Sequence, residues 1–306
     1  MNAIPPKGPA ARARAVGKLQ DMSGMAMTAD DILSHPALER CVRGQALTLL
    51  SIQQAAPRMA SVFATQQRWL MSHAALALYF RGEAIRPGSG LLAERFLETV
   101  ERDNIASRNT AAAFLKEMLK YEIISTLAGA GRRHRPLAPT PAVLMALFQW
   151  HVLHLATLDG LDGGKRVARF EARPDLLQTV QPLIADGLIG SDAVREPQQK
   201  TFSLFTWINE GGVVMDRLMA GCDPPGEGGP RILTDVTSIS GLAEPLSLSR
   251  TQLSRKFAEA EAMGSLGWAG TRGRSRLWLS ADFRREYHAA QAAKLAIIDA
   301  AFEACV

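Results

Sequence analysis

Arg250, Gln252, Ser254 and Arg255 crowd one short stretch of the chain, interleaved with Leu253 and Phe257. At helical spacing the two apolar side chains turn inward and leave a polar, basic face opposite them. Groups of that kind near a helix start can reach base edges and phosphates in a duplex groove. The chemistry is recognition by hydrogen bonds and charge, with no bond made or broken. Ser249 precedes the stretch, and a compact basic tip, Arg272-Gly273-Arg274-Ser275-Arg276, follows it. A weaker version stands earlier: Ser107, Arg108, Asn109 and Lys116, then a tip holding Arg132, Arg133 and Arg135. There Ala111-Ala112-Ala113 replaces Leu253-Ser254-Arg255. Alanine can touch a thymine methyl but makes no bidentate hydrogen bond.

Other chemistry is poorly supported. His151 and His154 stand at i, i+3 on an apolar helix with no acid or thiol spaced to complete a metal site, so they read as core or interface histidines. Asp159 to Lys165 ends in Gly-Lys but lacks the first glycine and the hydroxyl of a phosphate-binding loop. Its acids lack the alternation and terminal glutamate of a calcium loop. Neither G-x-S-x-G nor H-E-x-x-H occurs. Cys41, Cys222 and Cys305 are scattered and form no C-x-x-C, which argues for reduced thiols. No catalytic residue, metal or cofactor is expected, and hence no enzyme. Trp69, Tyr79, Phe80, Met145, Phe148 and Trp150 read first as core, and leave room for an effector pocket between modules.

The elements that must position the basic groups repeat. Sliding the chain along itself until Ser107-Arg108 falls on Ser249-Arg250 also puts Leu115 on Phe257, Glu117 on Glu259 and Ile124 on Leu266. A small adjustment of register then puts Arg133 on Arg274 and Arg135 on Arg276. Each half reads helix, break, helix, tight turn, helix, strand, basic turn, strand, helix. Helices are expected over 107–122 and 249–263, each started by a serine cap, and a single amphipathic helix over 202–219. Long apolar helices are expected over 35–64, broken near Pro57, over 141–158, and over 280–304.

The 306 residues are 47% hydrophobic and 21% charged, a globular balance with length for two domains. A formal charge of +5 identifies a partner only where it is concentrated. Lys7, Arg12, Arg14 and Lys18 are followed by no apolar run, which is unlike a secretory signal. Gln149, His151 and His154 interrupt the stretch 141–158, so it reads as a buried helix, and no membrane is expected.

The order of elements resembles the winged helix-turn-helix. Together the halves look like two MarR-like transcriptional regulators fused in tandem, over roughly residues 35–160 and 200–306. The resemblance implies a mainly α fold with small β-hairpin wings, two winged helix-turn-helix modules joined by long helices. Its divisions are a flexible basic tail (1–34), an N-terminal module (35–160), a linker region (161–200) and a C-terminal module (201–306). It implies sequence-specific binding of double-stranded DNA, in transcription regulation at the nucleoid of a bacterial cytoplasm. The contacts would come from Ser107, Arg108, Asn109, Lys116, Arg132, Arg133 and Arg135 in the first module. Ser249, Arg250, Gln252, Ser254, Arg255, Arg272, Arg274 and Arg276 would supply them in the second. One chain would act as a monomeric pseudo-dimer or pair as a homodimer, with a small-molecule effector or a protein as further partner. Two alternatives stand beside this: a plasmid- or phage-type replication initiator, and a winged-helix scaffold that binds proteins.

Overall fold

The computed structural model describes residues 26–56, 65–127, 135–195, 200–206, 208, 210–224, 229–246 and 248–306. Over the described residues the chain is mainly helical, with two small antiparallel sheets. It divides into two compact units, neither of them contiguous. Unit 1 takes Gln67–Arg195 and Ala293–Val306 with the chain up to Ala29, and unit 2 takes Asp30–Gln66 and Glu196–Ala292. The contiguous modules expected at 35–160 and 201–306 therefore do not coincide with the compact units.

Unit 2 opens with α1 (Ala29–Ser34) and α2 (Leu38–Ala55). Unit 1 follows with α3 (Gln66–Ile85), α4 (Ala93–Arg102), α5 (Arg108–Lys120), β1 (Ile124–Thr126) and β2 (Leu137–Pro139). It continues through α6 (Pro141–Asp162), α7 (Arg166–Ala172), α8 (Leu177–Gly190) and α9 (Asp192–Arg195). Unit 2 resumes with α10 (Lys200–Thr206), α11 (Gly211–Ala220), β3 (Arg231–Leu233), α12 (Ile239–Ala243), α13 (Arg250–Ala262), β4 (Leu266–Trp268) and β5 (Leu277–Ser280). The last helix, α14 (Ala281–Glu303), begins in unit 2 and ends in unit 1.

Three expectations need correction. Part of the tail expected over 1–34 is structured: Ala29–Ser34 is helical and buries Ile32 completely. The segment expected to link modules, 161–200, supplies core instead, since Phe170, Val180, Ile184 and Leu188 are fully buried. The helix expected over 202–219 is broken. Glu210 takes a left-handed φ of 57°, and a Cβ on Gly211 would lie 1.8 Å from the Phe205 carbonyl oxygen. Only glycine lets the backbone double back that closely.

In unit 1, α5 buries Ala111, Phe114, Leu115 and Met118, a single stripe at i, i+3, i+4, i+7. Phe114 stacks on Phe96 of α4 with ring centres 6.1 Å apart. β1 and β2 pair antiparallel, Ser125 opposite Ala138. Leu91, just before α4, bridges the far side of β2 through two hydrogen bonds with Leu137, of 2.7 and 2.8 Å. α6 starts at Pro141, whose fixed φ suits a first helical position. It stops at Gly163, whose φ of 74° favours glycine.

Unit 2 repeats this local plan. α12 buries Leu242 and Ala243; α13 buries Leu253, Phe257 and Ala260. Phe205 of α10 meets Phe257 edge-on at 5.8 Å and Phe283 of α14 face-on at 5.7 Å. The sheet order is β3-β5-β4, both pairs antiparallel. Trp278 lies against Gly267, where a Cβ would come within 2.5 Å of the indole, and Arg231 covers the ring at 4.0 Å. α2 packs on α11, which brings residues 30–66 into this unit.

Candidate nucleic-acid interface

The two equivalent helices are built alike. α5 and α13 are each 13 residues long, and they start at Arg108 and Arg250, the positions that the repeat superposes. Ser107 Oγ accepts from the Thr110 amide and Ser249 Oγ from the Gln252 amide, at 3.2 and 3.4 Å. These bonds satisfy one free N–H at each start. The exits match as well. The Ile123 amide donates to the Met118 carbonyl and the Ser265 amide to the Ala260 carbonyl, at 2.9 and 3.0 Å. Between them Glu122 and Gly264 take left-handed φ of 55° and 71°.

On α13 the side chains of Arg250, Gln252 and Arg255 are exposed, and Ser254 is half-buried. Among the described residues no acceptor engages Arg250 or Arg255, so both guanidiniums keep their donors for an external group. The turn between β4 and β5 belongs to the same unit. Ser275 shapes it by donating to the Thr271 carbonyl (2.9 Å) while accepting from the Gly270 amide (3.0 Å). Gly273 sits at its tip with a φ of 76°. Arg274 is exposed, with no side-chain partner among the described residues; Arg272 is exposed and lies 4.0 Å from Glu261.

Arg276 is engaged within the unit. Its Nε donates to the Thr234 carbonyl at 2.7 Å, and a terminal nitrogen donates to Asp223 at 2.5 Å. It therefore ties the base of the turn to the chain on both sides of β3. Arg108 is engaged too. Glu94 of α4 accepts its hydrogen bond, and Glu101 lies 4.0 Å away. The carboxylate of Glu98 adds to the same field. On α5 that leaves Asn109 and Lys116, both exposed. Arg132 and Arg133 lie outside the described residues, and Arg135 is exposed.

Glu94, Glu98 and Glu101 were not among the sequence-selected residues. Their spacing of i, i+4, i+7 was a readable signal, because it places three carboxylates on one side of a helix. In the second repeat α12 carries no carboxylate, and the exposed Glu244 follows it.

The remaining candidates resolve into packing. His151 and His154 are fully buried; their Nδ1 atoms donate to the Leu147 and Trp150 carbonyls at 2.8 and 2.7 Å. Burial holds His73 down to about 3 and His151 to about 4, with His154 well below the ordinary imidazole range. Phe148 stacks on Phe170 at 4.8 Å, and Trp150 lies against His154 at 4.0 Å. Among the described residues no three His, Cys, Asp or Glu side chains form a set that could hold a metal. The DGLDGG segment serves Arg166, which bonds Asp162 through two nitrogens at 2.8 Å and buried Asp299 at 2.6 Å. In unit 2 a small cleft of about 10 Å³, lined by Glu39, Arg43, Cys222, Arg284 and His288, has room for about one water. Burial pushes the Cys222 thiol up to about 12, so it is unreactive at neutral pH. Comparison with protein-family models, with curated proteins and with solved structures finds no match to this chain.

Proposed function

We propose that the chain binds duplex DNA through unit 2 and acts as a transcription regulator of the winged helix-turn-helix, MarR-like kind. The observation that carries this is the exposed face of α13, where no acceptor among the described residues engages the side chains of Arg250, Gln252 and Arg255, in the unit that also carries the Arg272–Arg274 turn. The order α11, β3, α12, α13, β4, turn, β5, with β5 central in the sheet, resembles that of a winged helix and supports the reading. On this reading α13 enters the major groove and the β4–β5 turn lies along the phosphates. Arg250 and Arg255 suit guanine edges and Gln252 suits adenine.

Selection of duplexes from a random library, followed by titration at several salt concentrations, tests the proposal. Replacing Arg250 or Arg255 by Ala should cost about 1–3 kcal/mol on the selected site and much less on random DNA. Equal losses on both would make these residues positioners only. Absence of any salt-sensitive DNA binding would overturn the proposal and favour a protein-binding scaffold.

A further inference from the structure

The two repeats have diverged at the place where each would meet DNA. Their backbones match down to the capping serine, the helix length and the left-handed exit. The side chains do not. Arg250 is free among the described residues, whereas Arg108, its counterpart in the first repeat, is bonded by Glu94 and lies 4.0 Å from Glu101. Arg255 has Ala113 as its counterpart. The exposed side of α4 carries Glu94, Glu98 and Glu101, whereas α12 carries no carboxylate and is followed by the exposed Glu244. A phosphate approaching the start of α5 would meet three carboxylates and a guanidinium already neutralised. At the start of α13 it would meet Arg250 and Arg255, which no acceptor among the described residues engages. Like charges at that range repel, and the repulsion is largest at low salt.

Resting on the DNA-binding reading above, we infer that unit 2 alone reads duplex DNA. The matching face of unit 1 is closed to it by the α4 carboxylates. The second half-site of a two-fold operator is then read by a second copy of this chain. One winged helix contacts too few base pairs for a specific site, so specificity comes from two chains pairing on inverted half-sites.

The test uses the full chain on the duplex that the wild-type protein selects. Replacing Asn109 and Lys116 together by Ala should change affinity less than about twofold and leave the salt slope unchanged, since neither side chain would touch DNA. Replacing Arg250 or Arg255 by Ala should each weaken binding on the order of tenfold or more. Glu94→Gln, Glu98→Gln and Glu101→Gln together should release Arg108, tighten binding about three- to tenfold and steepen the salt slope by about one. All these positions are on the surface, so thermal melting of each variant should follow the wild type and exclude misfolding as the cause. Native mass spectrometry should find two chains on an inverted repeat. A tenfold loss from the Asn109 and Lys116 changes, no gain from the glutamine triple, or one chain protecting both half-sites would overturn the inference while leaving DNA binding intact. Failure of the wild-type chain to bind any duplex would overturn the functional proposal itself.

Discussion

Arg274 and Arg276 look equivalent in the basic tip, yet the fold uses them differently. Arg276 is committed to Thr234 and to Asp223, which lies 53 residues away; Arg274 has no side-chain partner among the described residues. Arg274→Ala should therefore weaken selected and random DNA alike and flatten the salt slope by about one, with no change in stability. Arg276→Ala should instead lower stability, because a charge-assisted hydrogen bond and a carbonyl contact are lost. Titration at several salts, paired with urea unfolding, separates the two. The residue types were legible in the sequence, but which of them were free was not, since the partners are distant in the chain. The buried histidines give a second prediction. An imidazole held below its ordinary value stabilises the fold only while neutral. Stability should be complete above about pH 6.5 and fall as pH drops toward 4, by up to ~1.4 kcal/mol per pH unit for each such group. His151→Leu should make that fall shallower in urea midpoints measured between pH 7 and 4.5. An unchanged slope would remove His151 from the cause.

At the scale of elements, the matched exits of α5 and α13 isolate one local cost. Gly264 fills the left-handed position after α13, and Glu122 fills the same position after α5. A side chain there is strained, and only glycine is free of the penalty. Glu122→Gly should stabilise the protein by about 0.5–1 kcal/mol, and Gly264→Ala should destabilise it by a similar amount or more. Differential scanning calorimetry reads both; opposite signs would show that the exits are not equivalent. The strong signals were legible here. Ser107 and Ser249 marked the helix starts because a hydroxyl before an apolar stripe has a defined job. Ser280 caps α14 through the Phe283 amide at 3.1 Å. Thr140, which has the same sequence appearance before α6, makes no such side-chain bond. β3 and the Leu91 bridge were illegible, because so few residues hold no period to read. Their pairing with β5 and β2 is fixed by the tertiary fold.

At the scale of the whole molecule, sequence pattern suggested a cut near residue 160, because the glycines of DGLDGG look like a boundary. The reason for those residues is local. A Cβ on Gly164 would come within 2.4 Å of the Arg166 guanidinium, so the turn lets Arg166 reach its acids. Those acids include Asp299 from α14, which pairs at 2.6 Å with Arg166 and is fully buried. Unit 1 is thus completed by the end of the chain, which no contiguous reading could supply. Deleting Ala293–Val306 should therefore collapse unit 1, although most of that unit's sequence would remain. The deletion removes Leu295, Ile298 and Phe302, all fully buried, and takes Asp299 and Glu303 from Arg166, which keeps Asp159 and Asp162. Each large core side chain lost costs about 2–5 kcal/mol. The total is comparable to the roughly 5–15 kcal/mol that holds an ordinary domain together. Circular dichroism with limited proteolysis should find the helices of residues 67–195 unfolded or cleaved in the shortened chain. A cooperative transition with an unchanged midpoint would show that Ala293–Val306 is dispensable and that unit 1 is contiguous after all.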